Sequence, residues 1–339
     1  MTTITPSRPR LADVARRAGV SKSAVSQAVN WMPDRATTIK EETRLRILRV
    51  VEEMGYRASW RGQMLVKRRT QTIAVVNAAP FGAVPRGVYW EIVNHVEAQL
   101  SKFDFCPTFF HVKDHEERFD RILGDARFDG CLSLGLFSQK VLDILRRNEV
   151  PTVLVNAEAD STWTRVNVDD ENGTRAVMRH LLSLGHKRIS CNLGETPPAH
   201  FSVSIRAATY QQCMREAGLT PEEPFVGPVD QFVRRIIGDP NRPTAILDYE
   251  HWSAVRLLQE LWRSGLRVPD DISVATFNDT YPVMEVIPPL TTVGLPTKQI
   301  AEDAVRLLLE RIEQPRTPAE TVVLQESLVV RESTAAPKG

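Results

Sequence analysis

LADVARRAGVSKSAVSQAVN, residues 11–30, carries apolar residues at helical spacing on both sides of a glycine. Leu11, Val14, Ala15 and Ala18 recur at i, i+3, i+4 and i+7 and mark one face of a helix. Val25, Ala28 and Val29 form a second stripe that starts after a break. Gly19 can take the left-handed conformation that closes a helix, and Ser21 can cap the next one by accepting a backbone N–H. Val20 and Val25 then stand at the spacing of a hydrophobic staple, which fixes the entry angle. The stretch therefore reads as two short helices joined by a tight Gly-Val-Ser turn, a helix-turn-helix. Its second helix leaves Lys22, Ser23, Ser26, Gln27 and Asn30 pointing outward.

The rest of the chain sets bounds on that reading. At 339 residues it exceeds one small core and implies two or three domains. An apolar content of 42% with 25% charged residues is that of an ordinary globular protein. No apolar run is long enough to span a bilayer, and MTTITPSRPR lacks the core of a secretory signal, so a cytoplasmic protein without membrane attachment is expected. Cys106, Cys131, Cys191 and Cys213 have no CxxC spacing, which points to reduced thiols and no zinc site. Charge is unevenly spread. Residues 1–69 hold 15 Lys/Arg against 6 Asp/Glu, whereas residues 70–339 hold 28 against 36. A basic head on an acidic body suits a phosphate-binding module fused to a regulatory domain. The competing reading, a basic tail that only solvates one end, fits poorly with a helix-turn-helix inside the basic block.

After Asn30, WMPDRATT reads as a loop. Thr38 and Glu41 have capping-box spacing, Ile47, Val50, Val51 and Met54 give a third helix its buried stripe, and Gly55 ends it. RASWRGQMLVKRR (57–69) is a short basic connector. From Thr72 buried-strand patterns such as TIAVVN, GCLSLG and PTVLVN alternate with amphipathic helices, and a second series follows with RISCNLG, PTAILD and ISVATFN. Such alternation predicts parallel sheets covered by helices on both faces, here in two similar lobes. The late helix KQIAEDAVRLLLERIE and the strand TVVLQESLVV follow an already complete second lobe, so they are expected to cross back. The fold class is thus a small all-α helix-turn-helix head plus an α/β core of two doubly wound parallel-sheet lobes. Expected boundaries are a head at 1–57, a hinge at 58–70 and a core at 71–339. Within the core, one lobe takes about 71–165 plus 296–322 and the other about 166–293 plus 323–333. Ligands in such folds sit at the carboxyl ends of the strands, in the cleft between lobes.

Taken in order, LADVARRAGVSKSAVSQAVN, EETRLRILRVVEEMGY, FDGCLSLG, VPTVLVN, HLLSLGHKRIS, RPTAIL, GLRVPDDISVATFND and PPLTTVGLP resemble a LacI/GalR-family transcriptional regulator nearly end to end. The resemblance implies a DNA-binding head, a hinge helix and a two-lobe core like periplasmic sugar-binding proteins. It also implies a homodimer on a near-palindromic DNA operator, controlled by a small effector, with repression the commoner mode. Carried over by position, Lys22, Ser23 and Gln27 face bases. Lysine can donate to guanine, glutamine can pair bidentately with adenine, and serine serves either way. Ser21, Ser26 and Asn30 hold phosphates and set register. Ser21 could be a helix cap only, and Lys22 an ordinary solvated lysine. Leu65 stands where the family wedges a leucine into the minor groove. The hinge departs from the family pattern at Ala58 and at Gly62-Gln63, and Gly62 costs about 1 kcal/mol of helix propensity. The loop after Asn30 is longer than usual; Trp31 or Arg35 could add a contact there, though an inert insertion is favoured.

For the effector, Arg206 matches a family arginine that reaches the ligand, with an inter-lobe salt bridge as its competing role. Tyr89, Asp169, Trp252 and Phe277 are further lining candidates, against a plain core role for the aromatics. His251 stands where the family has a ligand-gripping Asp, and Asn278 and Thr276 replace the Asp and Gly of its Gly-Phe-Asp pattern. The sugar-gripping carboxylates are therefore partly missing, which leads to the expectation that Arg206 and His251 meet an anionic ligand. His111 and His115, at i, i+4, read as part of a solvated charged segment rather than a metal site. His186 reads as structural. No nucleophile elbow, P-loop or dinucleotide fingerprint is present, so neither enzyme activity nor a cofactor is expected. A solute-binding receptor is the alternative; the basic head and the missing signal oppose it. The tail RESTAAPKG has no heptad repeat, so no coiled-coil tetramer is expected.

Overall fold

A computed structural model describes residues 9–30, 39–57, 69–77, 87–135, 138–195 and 200–338. It divides into two compact units, Met1–Gln71 and Thr72–Gly339. In the first, α1 (Leu11–Ala18), α2 (Lys22–Val29) and α3 (Glu41–Glu53) surround a core of Val14, Ala15, Ala18, Val25, Ala28 and Ile47. Gly19 sits at φ +64°, and the amide of Val20 donates to the Ala15 carbonyl at 3.0 Å, closing α1. The Ser21 hydroxyl accepts the Ala24 amide at 3.1 Å and opens α2. Val20 packs on the same core that buries Val25. The capping box expected at Thr38 and Glu41 does not form at Glu41. The helix begins at that residue, with Lys40 at its N-cap, and the Glu41 carboxylate turns to Arg44 at 2.9 Å. Thr38 lies outside the described residues.

The second unit has two sheets. The first is six parallel strands in the order β10-β5-β4-β3-β1-β2: β1 (Thr72–Asn77), β2 (Cys106–His111), β3 (Gly130–Leu134), β4 (Thr152–Val155), β5 (Thr164–Val168) and β10 (Thr321–Leu324). Helices α4 (Val88–Ser101) and α11 (Thr297–Glu313) cover one face through residues such as Ile92, Val96, Ala304 and Leu308. The other face takes α5 (Glu116–Gly124) and α6 (Gln139–Arg147) through Phe119, Leu123, Ile144 and Leu145.

The second sheet has the order β11-β9-β8-β7-β6, formed by β6 (Ile189–Asn192), β7 (Ala245–Asp248), β8 (Ser273–Phe277), β9 (Thr291–Gly294) and an antiparallel edge, β11 (Ser327–Val329). Helices α7 (Asp170–Ser183) and α8 (Phe201–Glu216) cover one face; α9 (Val229–Gly238) and α10 (His251–Arg263) cover the other. The chain passes between sheets three times: after β5, between β9 and α11, and between β10 and β11.

TVVLQESLVV, expected as one strand, is two strands in two sheets. Thr321 to Leu324 pair with Arg165 to Val168, and Ser327 to Val329 pair with Gly294 to Thr292. The crossings accordingly fall at 168–170 and 324–327, a few residues beyond the expected lobe limits. The pairing of β10 with β5 keeps both strands in the first sheet up to those points. Among the described residues no helix is long and apolar enough to cross a membrane.

Candidate functional site

Burial of Val25 and Ala28 against α1 and α3 decides which side of α2 faces outward. Ser21, Lys22 and Ser23 are exposed at its N-terminal end, while Ser26, Gln27 and Asn30 are half-buried. The first turn holds no acidic residue, so the positive end of the helix and the Lys22 ammonium act together. Asn30 closes the opposite end: its Nδ2 donates to the Ser26 carbonyl at 3.0 Å and lies 3.4 Å from the Ser26 hydroxyl. Ser26 and Asn30, expected at phosphates, are thus bonded to each other. Leu65, Ala58, Gly62, Trp31 and Arg35 lie outside the described residues.

At the facing ends of the two sheets, the residues expected to line a ligand site fall into different surroundings. Asp169 caps α7, accepting the Asn172 amide at 2.9 Å and the Gln325 side chain at 3.1 Å. Arg206 is buried, and its Nε donates to Asp170 Oδ1 at 2.7 Å. It also donates to the Tyr249 carbonyl at 3.2 Å and faces Glu326 Oε1 at 3.5 Å. Phe277 lies in the core beneath it, its ring centre 3.9 Å from the guanidinium carbon. The Tyr89 hydroxyl is enclosed, bonded by the Asn156 side chain and pushed up to about 12 by burial. Gly135, at φ +79°, admits that hydroxyl where a Cβ would stand 2.8 Å away.

His251, Trp252 and Asn278 do come together. The Asn278 amide nitrogen lies 3.4 Å from His251 Nδ1, and the His251 and Trp252 ring centres are 5.5 Å apart. Burial lowers His251 to about 4, so the ring is neutral near pH 7. Its Nε2 and the Trp252 Nε1 are buried without a partner. Glu250 is occupied as the cap of α10, accepting the amides of Trp252 at 2.8 Å and Ser253 at 2.7 Å. Behind it, burial raises Asp248 to about 7. Of the two residues expected to meet an anion, Arg206 is paired with carboxylates and the His251 imidazole is uncharged.

Several residues that join the lobes carried no sequence signal. His200 Nε2 donates to the Asn156 carbonyl at 2.9 Å, and the Thr280 hydroxyl donates to Glu91 of α4. Asp170 and Glu326 belong to the same group; only the inward turn of the crossings reveals them. His111 and His115 stand with ring centres 5.7 Å apart, and among the described residues no group of three or more candidate ligands is arranged for a metal. His186 ties Thr244 to the carbonyl of Ala335, both at 2.9 Å, a structural role.

Two family models match the chain. Residues 10–59 match "Bacterial regulatory proteins, lacI family", and residues 178–334 match "Periplasmic binding protein-like domain". The transcriptional regulator DegA of Bacillus subtilis is 28% identical, over 95% of this chain and 97% of its own. The repressor PurR of Aliivibrio fischeri is also 28% identical, over the same shares. The lac repressor dimer bound to operator and the anti-inducer ONPF superimposes with a TM-score of 0.82, at 24% identity over 97% of this chain and 99% of that one.

Proposed function

We propose that this chain, whose residues 10–59 match the LacI family of bacterial regulatory proteins, is an effector-controlled repressor of that family that reads a near-palindromic operator as a dimer. One observation carries the reading. Helix α2 is held by its buried Val25 and Ala28 so that Ser21, Lys22 and Ser23 stand exposed at its positive end, within a basic head. In this reading Lys22, Ser23 and Gln27 contact base edges, and Ser21 adds a phosphate contact to its capping bond. Ser26 and Asn30 set register near the backbone, and Leu65 enters the minor groove. The protein works in the cytoplasm and catalyses no reaction; its relatives are regulators.

The effector is uncharged. Arg206 is paired with Asp170 and Glu326, and Glu250 lies 3.4 Å from the neutral His251. The Asn278 amide nitrogen can only donate, so His251 Nδ1 accepts from it and the neutral ring carries its proton on Nε2. His251 Nε2–H and Trp252 Nε1–H then offer two unpartnered donors to acceptor atoms of the ligand.

Fluorescence anisotropy of the full-length protein on duplexes tiled across the DNA upstream of its own gene tests the operator. One tile should bind at least about a thousandfold tighter than scrambled duplex at physiological salt. Equal affinity for every duplex, lost in parallel as salt rises, would sink the reading. Thermal-shift panels of matched sugars, sugar acids and sugar phosphates test the effector; stabilisation confined to the charged members would refute a neutral ligand.

A further inference from the structure

We propose that His200 is a latch between the two lobes: it ends a string of hydrogen bonds rooted in the second lobe and holds the first lobe by the Asn156 carbonyl. The four members of the string, Tyr249, Ser202, His200 and Asn156, are all buried. The Tyr249 hydroxyl lies 3.1 Å from that of Ser202, and the Ser202 hydroxyl 2.6 Å from His200 Nδ1. His200 Nε2 then reaches the Asn156 carbonyl at 2.9 Å. His200 and Ser202 open α8 of the second lobe, and Tyr249 directly follows β7. Asn156 directly follows β4 of the first sheet, so the last bond crosses the cleft.

The hydrogens fix the direction of the string. The Ser202 backbone amide can only donate, and it points at His200 Nδ1 at 3.3 Å, so Nδ1 is the accepting nitrogen. Nε2 faces a carbonyl, which can only accept, and therefore carries the ring proton. Burial favours the same neutral ring. With the Ser202 hydroxyl donating to Nδ1, its oxygen accepts from Tyr249, and every bond points toward the first lobe. Donors aligned in this way polarise one another, which strengthens the last bond relative to an isolated one.

Both ends are anchored. The Tyr249 amide donates to the Asn192 carbonyl at 2.9 Å, and its own carbonyl accepts from Arg206 at 3.2 Å. Asn156 turns at φ +51°, a left-handed position that asparagine tolerates, with its amide on the Val166 carbonyl at 2.8 Å and its side chain on the Tyr89 hydroxyl. Neither end can follow the other when the lobes part, so parting breaks the latch. A second tie reaches the same helix as Tyr89, where the Thr280 hydroxyl donates to Glu91 of α4. On the repressor reading above, the two ties set how much differential affinity an effector must supply to change the lobe arrangement.

The test uses the full-length protein with neither ligand nor DNA, so it succeeds or fails apart from that reading. Nitrogen NMR of the histidine rings, assigned with His200→Phe, should show His200 protonated on Nε2 alone, its ring proton slow to exchange. Ser202→Ala removes the hydroxyl behind the ring and should speed that exchange. Spin labels at Lys140→Cys on α6 and Gln231→Cys on α9, in a Cys106→Ser background, report the distance between lobes; both positions are exposed, and the other cysteines are buried. His200→Phe should lower the ratio of latched to open molecules about two- to tenfold, and adding Thr280→Val should lower it further. A ring proton on Nδ1, exchange unchanged in Ser202→Ala, or a distance distribution unchanged in the double variant would overturn the latch.

Discussion

Replacing Ser21 separates the two tasks assigned to it. Its hydroxyl caps α2 through the Ala24 amide at 3.1 Å, and in the proposed complex it also meets a phosphate. Ser21→Ala removes the cap, at about 1 kcal/mol. In a head this small, that loss lowers its melting temperature by about 4–8 °C. Ser21→Asp keeps the cap, since a carboxylate accepts the same N–H. It also places an anion at a helix end with no acidic residue in its first turn, worth about 0.3–1 kcal/mol. At the DNA the same carboxylate faces a phosphate, and at about 4 Å in water the repulsion is about 1 kcal/mol. With the lost phosphate contact added, operator affinity should drop about tenfold. Calorimetry of the head transition and anisotropy with operator DNA read the two effects separately. An Asp variant that binds operator as tightly as wild type at low salt would refute the phosphate contact. An Ala variant that melts unchanged would refute the cap.

Lys22→Ala should leave the melting temperature unchanged, because Lys22 is exposed, and cost about 1–3 kcal/mol of discrimination at one base pair per half-site, measured by competition with operator variants. Arg206→Met strips two buried acids of their cation and should cost about 3–5 kcal/mol in denaturant unfolding; an intact midpoint would contradict its role as their counter-ion. His251 is held neutral, and the unfolded chain takes up a proton below about pH 6.5 that the native chain refuses until about pH 4. Stability should therefore fall with pH across that window by up to about 3 kcal/mol, and His251→Asn should abolish that part of the slope. Gly173→Ala drives a Cβ into Glu326 Oε2 and to 2.9 Å from Val293, an overpacking cost of about 1–3 kcal/mol that thermal unfolding would detect.

Much of the head is legible along the chain because its determinants are short-range. Gly19, Ser21 and the Val25–Ala28 stripe act over one or two turns of helix, and the structure places each where its spacing implies. Glu41 shows the limit of such reasoning: capping-box spacing is present, but the helix begins at Glu41 and its carboxylate bonds Arg44 instead. The cleft was legible only in part. His251, Trp252 and Asn278 sit at the ends of two neighbouring strands, so one register brings them together. Phe277 and Asp169 carry the same kind of local signal, yet one lies under a guanidinium and the other caps a helix.

What the chain determined by itself is its element order, its basic head with the helix-turn-helix, and the alternation that makes two largely parallel sheets, because each is a repeat of neighbours along a line. What the tertiary structure decided is the charge of the cleft. Arg206 bonds Asp170, 36 residues away, and faces Glu326, 120 residues away. No spacing in one dimension encodes that pairing. It exists because two crossings, after β5 and between β10 and β11, bring distant segments to α8 in a site too dry to leave any of the charges alone.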